Sequence, residues 1–280
     1  MRYLGGKHKI GEQIAQYMMK QCPPDKVDGY LEPFCGSLGV FKHMTHHGYK
    51  KCIASDLQPD LIEMWKQLQN NTLKIPDKMN ETEYNRLKDL PSDKPNAQRA
   101  MVGFFLSFGG KYFGGYAQKW EEKGGKDYLQ TLKNGLEKMR PLIQSNTIEN
   151  SSISFVNKSY LDWNPQRLLI YCDPPYRKTE KYTATEPFDH DLFWETMRKW
   201  SQHNTVFISE ETCPPDFKSV WSHSKKRTLT SNLKNRKVKK EHLFVYSGRN
   251  TERKPNSKTK TKKGKEWITK NRKTQKHKTL

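Results

Sequence analysis

The chain has 280 residues, 33% of them hydrophobic and 29% charged, and carries a formal net charge of +21 at pH 7. That length buries a sizeable core, as one large domain or as one domain with an insertion. So cationic a surface attracts polyanions by counterion release, which makes nucleic acid the first partner to consider, with an anionic membrane surface, or no specific partner at all, as the alternatives.

In chain order, Ile10, Ile14, Tyr17 and Met18 recur at helical spacing and predict an opening helix. Gly29 to Cys35 reads as a strand, Ser37 to His46 as a helix, Lys51 to Asp56 as a second strand, and Leu61, Ile62, Trp65 and Leu68 mark the helix after it. This βαβα order, with short strands ending in Gly or Asp, predicts an open parallel sheet in an α/β protein. From about Pro76 to Asn150 the strand signal fades. Ala97 to Phe108 and Tyr128 to Ile143 read as helices, with a segment rich in Gly and aromatics, Gly109 to Trp120, between them. Strands resume at Ile153 to Val156, Leu168 to Asp173, Val206 to Ser209 and Leu243 to Tyr246, with a helix from about Asp191 to Trp200. The expected organisation is a core built from residues 1–75 and 151–250, interrupted by a helical insertion at 76–150. Residues 251–280 hold twelve Lys/Arg, two Glu and few large apolar side chains, the composition of a disordered basic tail.

The residues with the sharpest chemical character are Asp173-Pro174-Pro175-Tyr176, which follow the apolar strand. Ligands of open α/β sheets bind outside the carboxyl ends of the strands. Two successive prolines fix the backbone and remove two amide donors, and the residue before them is held extended. The outcome is a rigid turn offering a carboxylate and carbonyls, followed by an aromatic ring. Such a set suits methylation of an exocyclic amine. If Asp173 and the Pro174 carbonyl accept hydrogen bonds from an adenine amino group, its delocalised lone pair becomes available for in-line attack on a methyl sulfonium. Tyr176 would stack on the base once it has left the duplex. A packing tyrosine beside a tight turn is the plain alternative.

Glu32-Pro33-Phe34-Cys35-Gly36 ends the first predicted strand, where a glycine lets backbone approach a ligand closely. Asp56 ends the second, about twenty residues later, the usual place for an acid that binds ribose hydroxyls; a helix N-cap is the alternative. In the insertion, Lys111 and Lys119 offer phosphate contacts, and Tyr112, Phe113 and Tyr116 are candidates for stacking or wedging against DNA, or for a core beneath a loop.

Together these motifs resemble the DNA adenine methyltransferase (Dam-like) family, of Rossmann-like class I methyltransferase fold with an inserted target-recognition region. Tyr3-Leu4-Gly5-Gly6-Lys7 is similar to the family's aromatic-x-Gly-Gly-Lys motif, and Glu32 to Gly36 to its Glu-Pro-Phe-x-Gly motif. Asp56-Leu57-Gln58-Pro59-Asp60-Leu61 resembles Asp-x-Asn-x-Asp-Leu, and the catalytic Asp-Pro-Pro-Tyr is intact. The resemblance implies transfer of a methyl group from S-adenosyl-L-methionine to the N6 amine of adenine in double-stranded DNA. It implies that Tyr3, Lys7, Asp56 and Asp173 contact the cofactor, that Glu32, Phe34 and Gly36 lie against its methionine end, and that Asp162 meets its adenine. A cognate restriction endonuclease is the further partner it allows, and the place of work is the cytoplasm of a prokaryotic host or, for a viral protein, the compartment of the infected cell that holds the DNA.

Two departures stand out. Leu38 replaces the second glycine of the family's turn, with Gly39 one residue later, and Phe108 to Tyr116 replaces an Asn-Gly-Leu-x-Arg stretch. Methylation of the cytosine 4-amino group, of adenine in RNA, and a non-catalytic DNA-binding role on the same fold are the alternatives; Asp rather than Ser at 173 favours adenine. The five widely spaced cysteines form no CxxC pair and the nine histidines no site, so neither metal nor disulfides are expected. With neither an apolar signal region near Met1 nor a run long enough to span a bilayer, the chain is expected to be soluble and intracellular.

Overall fold

A computed structural model describes residues 3–117, 127–144, 151–176, 188–225 and 239–248. Lys119 and the basic tail lie outside them. Seven strands form one sheet: β1 (Gly29–Glu32), β2 (Lys51–Asp56), β3 (Ser152–Asn157), β4 (Leu168–Cys172), β5 (Thr205–Glu210), β6 (Phe217–Lys225) and β7 (Lys239–Tyr246). Their order is β3-β2-β1-β4-β5-β7-β6. The first five in that order run parallel, whereas β7 is antiparallel to β5 and β6 antiparallel to β7. The sheet is therefore mixed, not wholly parallel as the strand–helix alternation predicts.

Successive residues of the central strands feed two cores, as the period of two requires. Tyr30, Cys52, Ala54, Leu169, Tyr171 and Phe207 face one, with helices α1 (Gly11–Gln21), α2 (Pro59–Gln69) and α5 (Tyr128–Ile143). Leu31, Ile170, Cys172, Val206 and Ile208 face the other, covered by Phe193, Trp194, Met197 and Trp200 of α6 (His190–Trp200). A sheet buried on both faces explains the near-continuous apolar run of β4. The fold is Rossmann-like, as the methyltransferase resemblance implies.

The segment between β2 and β3 carries α2, α3 (Glu81–Lys88), α4 (Ala97–Ala100) and α5, with a wider turn over Met101–Phe105 continuing α4. Within it, an ion pair holds α4 to α2. Arg99 Nε and Nη2 donate to Asp60 Oδ2 and Oδ1 at 2.6 and 2.9 Å, both residues being buried. Among the described residues no helix is long and apolar enough to cross a membrane.

The stretch Ser37 to His46 departs from its predicted helix. It forms turns and a short 3-10 helix, Phe41–His43. The cause is crowding around two glycines. A side chain on Gly11 would come within 2.0 Å of the Gly39 carbonyl, and one on Gly39 within 2.9 Å of the Lys7 amide. The start of α1 and the Gly39 turn thus touch through bare backbone, and Leu38 is driven to φ 58° while fully buried.

Candidate active site

The strand order reverses at β1: β2 and β3 build outward on one side, β4 and β5 on the other. Ligands of open α/β sheets bind in the crevice at the carboxyl ends flanking such a switch. Glu32 to Gly36 leave β1 there, and Asp173 leaves β4 beside them.

Lys7 reaches this point from the amino-terminal turn, which is closed by the Gly6 amide donating to the Tyr3 carbonyl at 3.0 Å. Its Nζ donates to both oxygens of Asp173, at 2.7 and 2.8 Å, and to the Gly5 carbonyl at 3.3 Å. The same ammonium lies 3.7 Å from Glu241 of β7 and 4.8 Å from the centre of the Tyr176 ring, whose hydroxyl donates to Glu241 Oε1. One cation thus stands between two carboxylates and against an aromatic face. Burial opposes the charge on Lys7, but attraction to Asp173 and Glu241 outweighs it and holds the ammonium pKa above its ordinary value. Burial also raises the Asp173 carboxyl; Lys7 opposes that shift and Glu241 adds to it.

The second half of the site lies around Gly36. Asp56 at the end of β2 accepts from the Gly36 amide at 2.9 Å and from the Gln58 amide at 3.0 Å. Gln58 itself caps α2, so Asp56 is not that helix's N-cap. Trp65 Nε1 donates to the Gly36 carbonyl at 3.0 Å, pinning the turn from beneath. Gly36 has φ +44°, and a side chain there would come within 3.0 Å of the Tyr3 ring. Tyr3 in turn packs on Phe104 and Phe105, at centroid distances of 5.1 and 6.2 Å. Burial raises the Asp56 carboxyl against the pull of three backbone amides. Glu32 is raised well above the carboxylate range by burial, against a 2.8 Å hydrogen bond from the Tyr30 hydroxyl, with Asp173 adding to the shift.

The remaining sequence candidates separate into those at the rim and those used elsewhere. Phe34 packs against Tyr160, Phe188 and Phe193 at 5.2 to 6.0 Å. Asp162 is exposed, on the turn after β3. Pro174 is buried and Pro175 half-buried beside Asp173. In the insertion, Lys111 is exposed. The three aromatics predicted to face DNA are held in internal contacts: Tyr112 donates to Asp60 at 3.1 Å, Phe113 packs on Tyr84 at 5.2 Å, and Tyr116 donates to the Met79 carbonyl at 2.5 Å. All three are half-buried and pack against the core.

Sequence reasoning missed Glu241, Trp65 and three exposed apolar side chains: Leu57 after β2 (67% exposed), Leu161 on the turn after β3 (50%) and Phe108 in the insertion (58%). A charged residue at an inward position of an apolar strand is the signal that would have found Glu241. Among the described residues no group of His, Cys, Asp and Glu has the arrangement to hold a metal ion.

Residues 3–96 match the model of the D12 class N6 adenine-specific DNA methyltransferase family. Two curated relatives are type II methyltransferases: M.MjaIII of Methanocaldococcus jannaschii, 22% identical over 68% of this chain and 73% of its own length, and M.FokI of Planomicrobium okeanokoites, 23% identical over 63% of this chain and 28% of its own. A solved Haemophilus influenzae methylase covers 86% of this chain and 90% of its own at 11% identity with a TM-score of 0.32; the strand order, not that overlay, carries the fold. The enzyme class is thus that of DNA methyltransferases. Within it, the match is to the adenine-specific D12 class.

Proposed function

We propose that the protein transfers a methyl group from S-adenosyl-L-methionine to the exocyclic N6 amine of adenine in double-stranded DNA, with the target base swung out of the helix. The observation that carries this reading is the convergence of Asp173, Lys7 and Tyr176 at the switch point of the sheet. The residues present fit the cofactor. Asp56, Asp173 and Glu241 outnumber Lys7 among the site's charged groups, an imbalance that favours a cationic ligand. The buried Ser37 hydroxyl beside the Gly36 turn has no hydrogen-bond partner, leaving a polar group for a ligand to satisfy. The cofactor supplies an electrophilic methyl group on a sulfonium.

Everything else is done by the chain. Asp173 and the Pro174 carbonyl accept from the amino group and turn its lone pair toward the methyl carbon. Being fixed before the base arrives, they stabilise the charge that develops on the nitrogen without reorganising. Lys7 holds the Asp173 carboxylate by both oxygens and so sets its direction. Tyr176 offers a ring to the extruded base. Asp56, whose two oxygens are oriented by backbone amides, is the acid that would take the ribose hydroxyls, and Asp162, beside exposed Leu161, would meet the cofactor's adenine.

Residues 76–150 are the region proposed to read the target. Phe108 and Lys111 are its solvent-facing candidates, on a turn whose Gly110 carbonyl accepts the Leu4 amide at 3.0 Å. A paired restriction endonuclease is the partner that the names of the type II relatives suggest. To test the reading, DNA treated with enzyme and cofactor is digested to nucleosides and analysed by mass spectrometry. N6-methyldeoxyadenosine is the expected product; N4-methyldeoxycytidine alone, or activity confined to RNA, would overturn it.

A further inference from the structure

We infer that Glu241 is a positioning residue for the reaction: it holds the Tyr176 ring by its hydroxyl, and Lys7 by its charge, in the orientation that receives the extruded base. This rests on the methyltransferase reading above and assigns a role to a residue from the far side of the sheet.

Glu241 lies on β7, which is separated from β4 by β5. It pairs in register with His223 of β6, and the nearby β7 residues Leu243 and Phe244 are buried and apolar. A buried carboxylate in such a strand is costly unless hydrogen-bonded and paired, and an apolar residue would serve the fold better. Its partners explain its presence. Oε1 accepts the Tyr176 hydroxyl and stands 3.7 Å from the Lys7 ammonium. Lys7 lies 4.8 Å from the centre of the same ring.

The consequences are geometric. Tyr176 follows two prolines, which fix the backbone but not the rotation of its side chain about χ1 and χ2. Tethering the hydroxyl removes that freedom at the far end of the ring. Lys7, 4.8 Å from the ring centre, adds a second restraint on its orientation. Glu241 is also a second anchor for Lys7, so the ammonium that orients Asp173 is fixed from two sides. A ring left to rotate would stack on the base in a fraction of encounters, and the reacting amine would meet Asp173 less often. The loss would fall on turnover rather than on cofactor binding.

The experiment uses the full chain and a duplex containing a site found by sequencing DNA that the wild type has methylated. Glu241→Leu, Glu241→Gln, Tyr176→Phe, the Glu241→Leu/Tyr176→Phe double variant and Asp173→Ala are compared in single-turnover methyl transfer, with thermal melting and KM for the cofactor alongside. Loss of a hydrogen bond to a charged group predicts a fall of about 10- to 100-fold in turnover for Glu241→Leu, with KM changed less than about threefold. Tyr176→Phe should fall comparably, and the double variant no further than the worse single. Glu241→Gln keeps an acceptor for the hydroxyl and should stay within about fivefold to tenfold of wild type. Should Glu241→Leu fail to fold, Glu241→Gln and Tyr176→Phe carry the test, since neither removes volume from the strand. Wild-type turnover in Glu241→Leu, or in Tyr176→Phe, with an inactive Asp173→Ala would overturn this inference and leave the reaction standing. An Asp173→Ala variant as active as wild type would sink both.

Discussion

Two ion pairs of this protein, Asp60–Arg99, buried on both sides, and Lys7–Asp173, in which the carboxylate is half-buried, have similar lengths and differ in what surrounds them. Arg99 spends all five of its donors inside the fold, on both Asp60 oxygens and on the carbonyls of Leu90, Pro91 and Lys94. Asp60 also accepts from the Asn96 amide and the Tyr112 hydroxyl. Nothing in that inventory is left for a ligand. Around Lys7 the account is unbalanced: two carboxylates share one ammonium, burial holds the Asp173 carboxyl above its usual range, and Ser37 nearby is buried without a partner. A closed set of hydrogen bonds marks a clamp, and an open one marks a place where something else is meant to bind.

The comparison breaks most visibly at Arg99. Removing one partner of a buried pair leaves the other charge stranded, at a cost of about 3–5 kcal/mol. Arg99→Met should therefore lower the melting temperature sharply, while whatever protein remains folded methylates DNA at a normal rate. Adding Asp60→Asn should recover part of the loss, because the stranded charge is gone. A double variant less stable than Arg99→Met would show that the pair is not the clamp described.

At Asp173 the outcome reverses. Asp173→Ala leaves Lys7 the Glu241 carboxylate, 3.7 Å away, and so should lose less in melting temperature than Arg99→Met, while its single-turnover rate falls about 100- to 1,000-fold. The same residue sets a pH dependence. Its carboxyl binds a proton more tightly in the folded protein than an ordinary aspartate does, so the acceptor is lost, and the rate falls, at a pH above the usual aspartate value of 3.8. For stability the sign is opposite: between the ordinary and the raised pKa, acidification favours the folded state, which binds the extra proton. Lys7 opposes the shift, so Lys7→Met should move the acid limb of the rate profile still higher. A limb that stays put in Lys7→Met, followed in single-turnover rates across pH, would mean that Lys7 does not govern the titrating group.

Tyr176→Ala comes next, since stacking on an extruded base is worth about 1–3 kcal/mol. The loss should appear with duplex substrate and be smaller when the target lies in a single strand, where no stack has to be left. Equal losses on both substrates, measured as kcat/KM, would remove the ring from base capture.

How these two regions read as sequence follows from the same contrast. Asp173 was legible because a carboxylate at the end of Leu168–Cys172 breaks an apolar run, and charge in such a place needs a reason. Glu241 breaks a similar run but takes its meaning from Tyr176 and Lys7, which a strand pattern cannot bring together. Leu38, Phe41 and Met44 recur at helical spacing, yet the contact of Gly39 with Lys7 and Gly11 forces a tight turn that periodicity does not register. Strand β6 is an edge strand whose alternate residues face water, so it carries little apolar signal. Residue type offers the aromatics of the insertion equally as DNA contacts or as a core beneath a loop, and periodicity cannot register that Asp60 and the Met79 carbonyl take two of their hydroxyls.

The smallest expected effect isolates that last point. Tyr112 and Tyr176 each donate a hydroxyl hydrogen bond to a buried carboxylate, Asp60 in one case and Glu241 in the other. Tyr112→Phe deletes one of four bonds to an acid that keeps both contacts with Arg99 and the one with Asn96. The ring keeps its packing on Phe104, at 4.5 Å between centroids, and on Phe113. A single hydrogen bond removed in this way is worth about 1 kcal/mol, or about 2–4 °C in melting temperature for a domain of this size. DNA affinity and turnover should stay at wild-type values, because the hydroxyl faces the clamp and not solvent. If Tyr112→Phe left the melting temperature unchanged but weakened binding to duplex DNA, the aromatic segment would be a reading surface after all, and its place in the core would be the resting arrangement of residues that turn outward to the substrate.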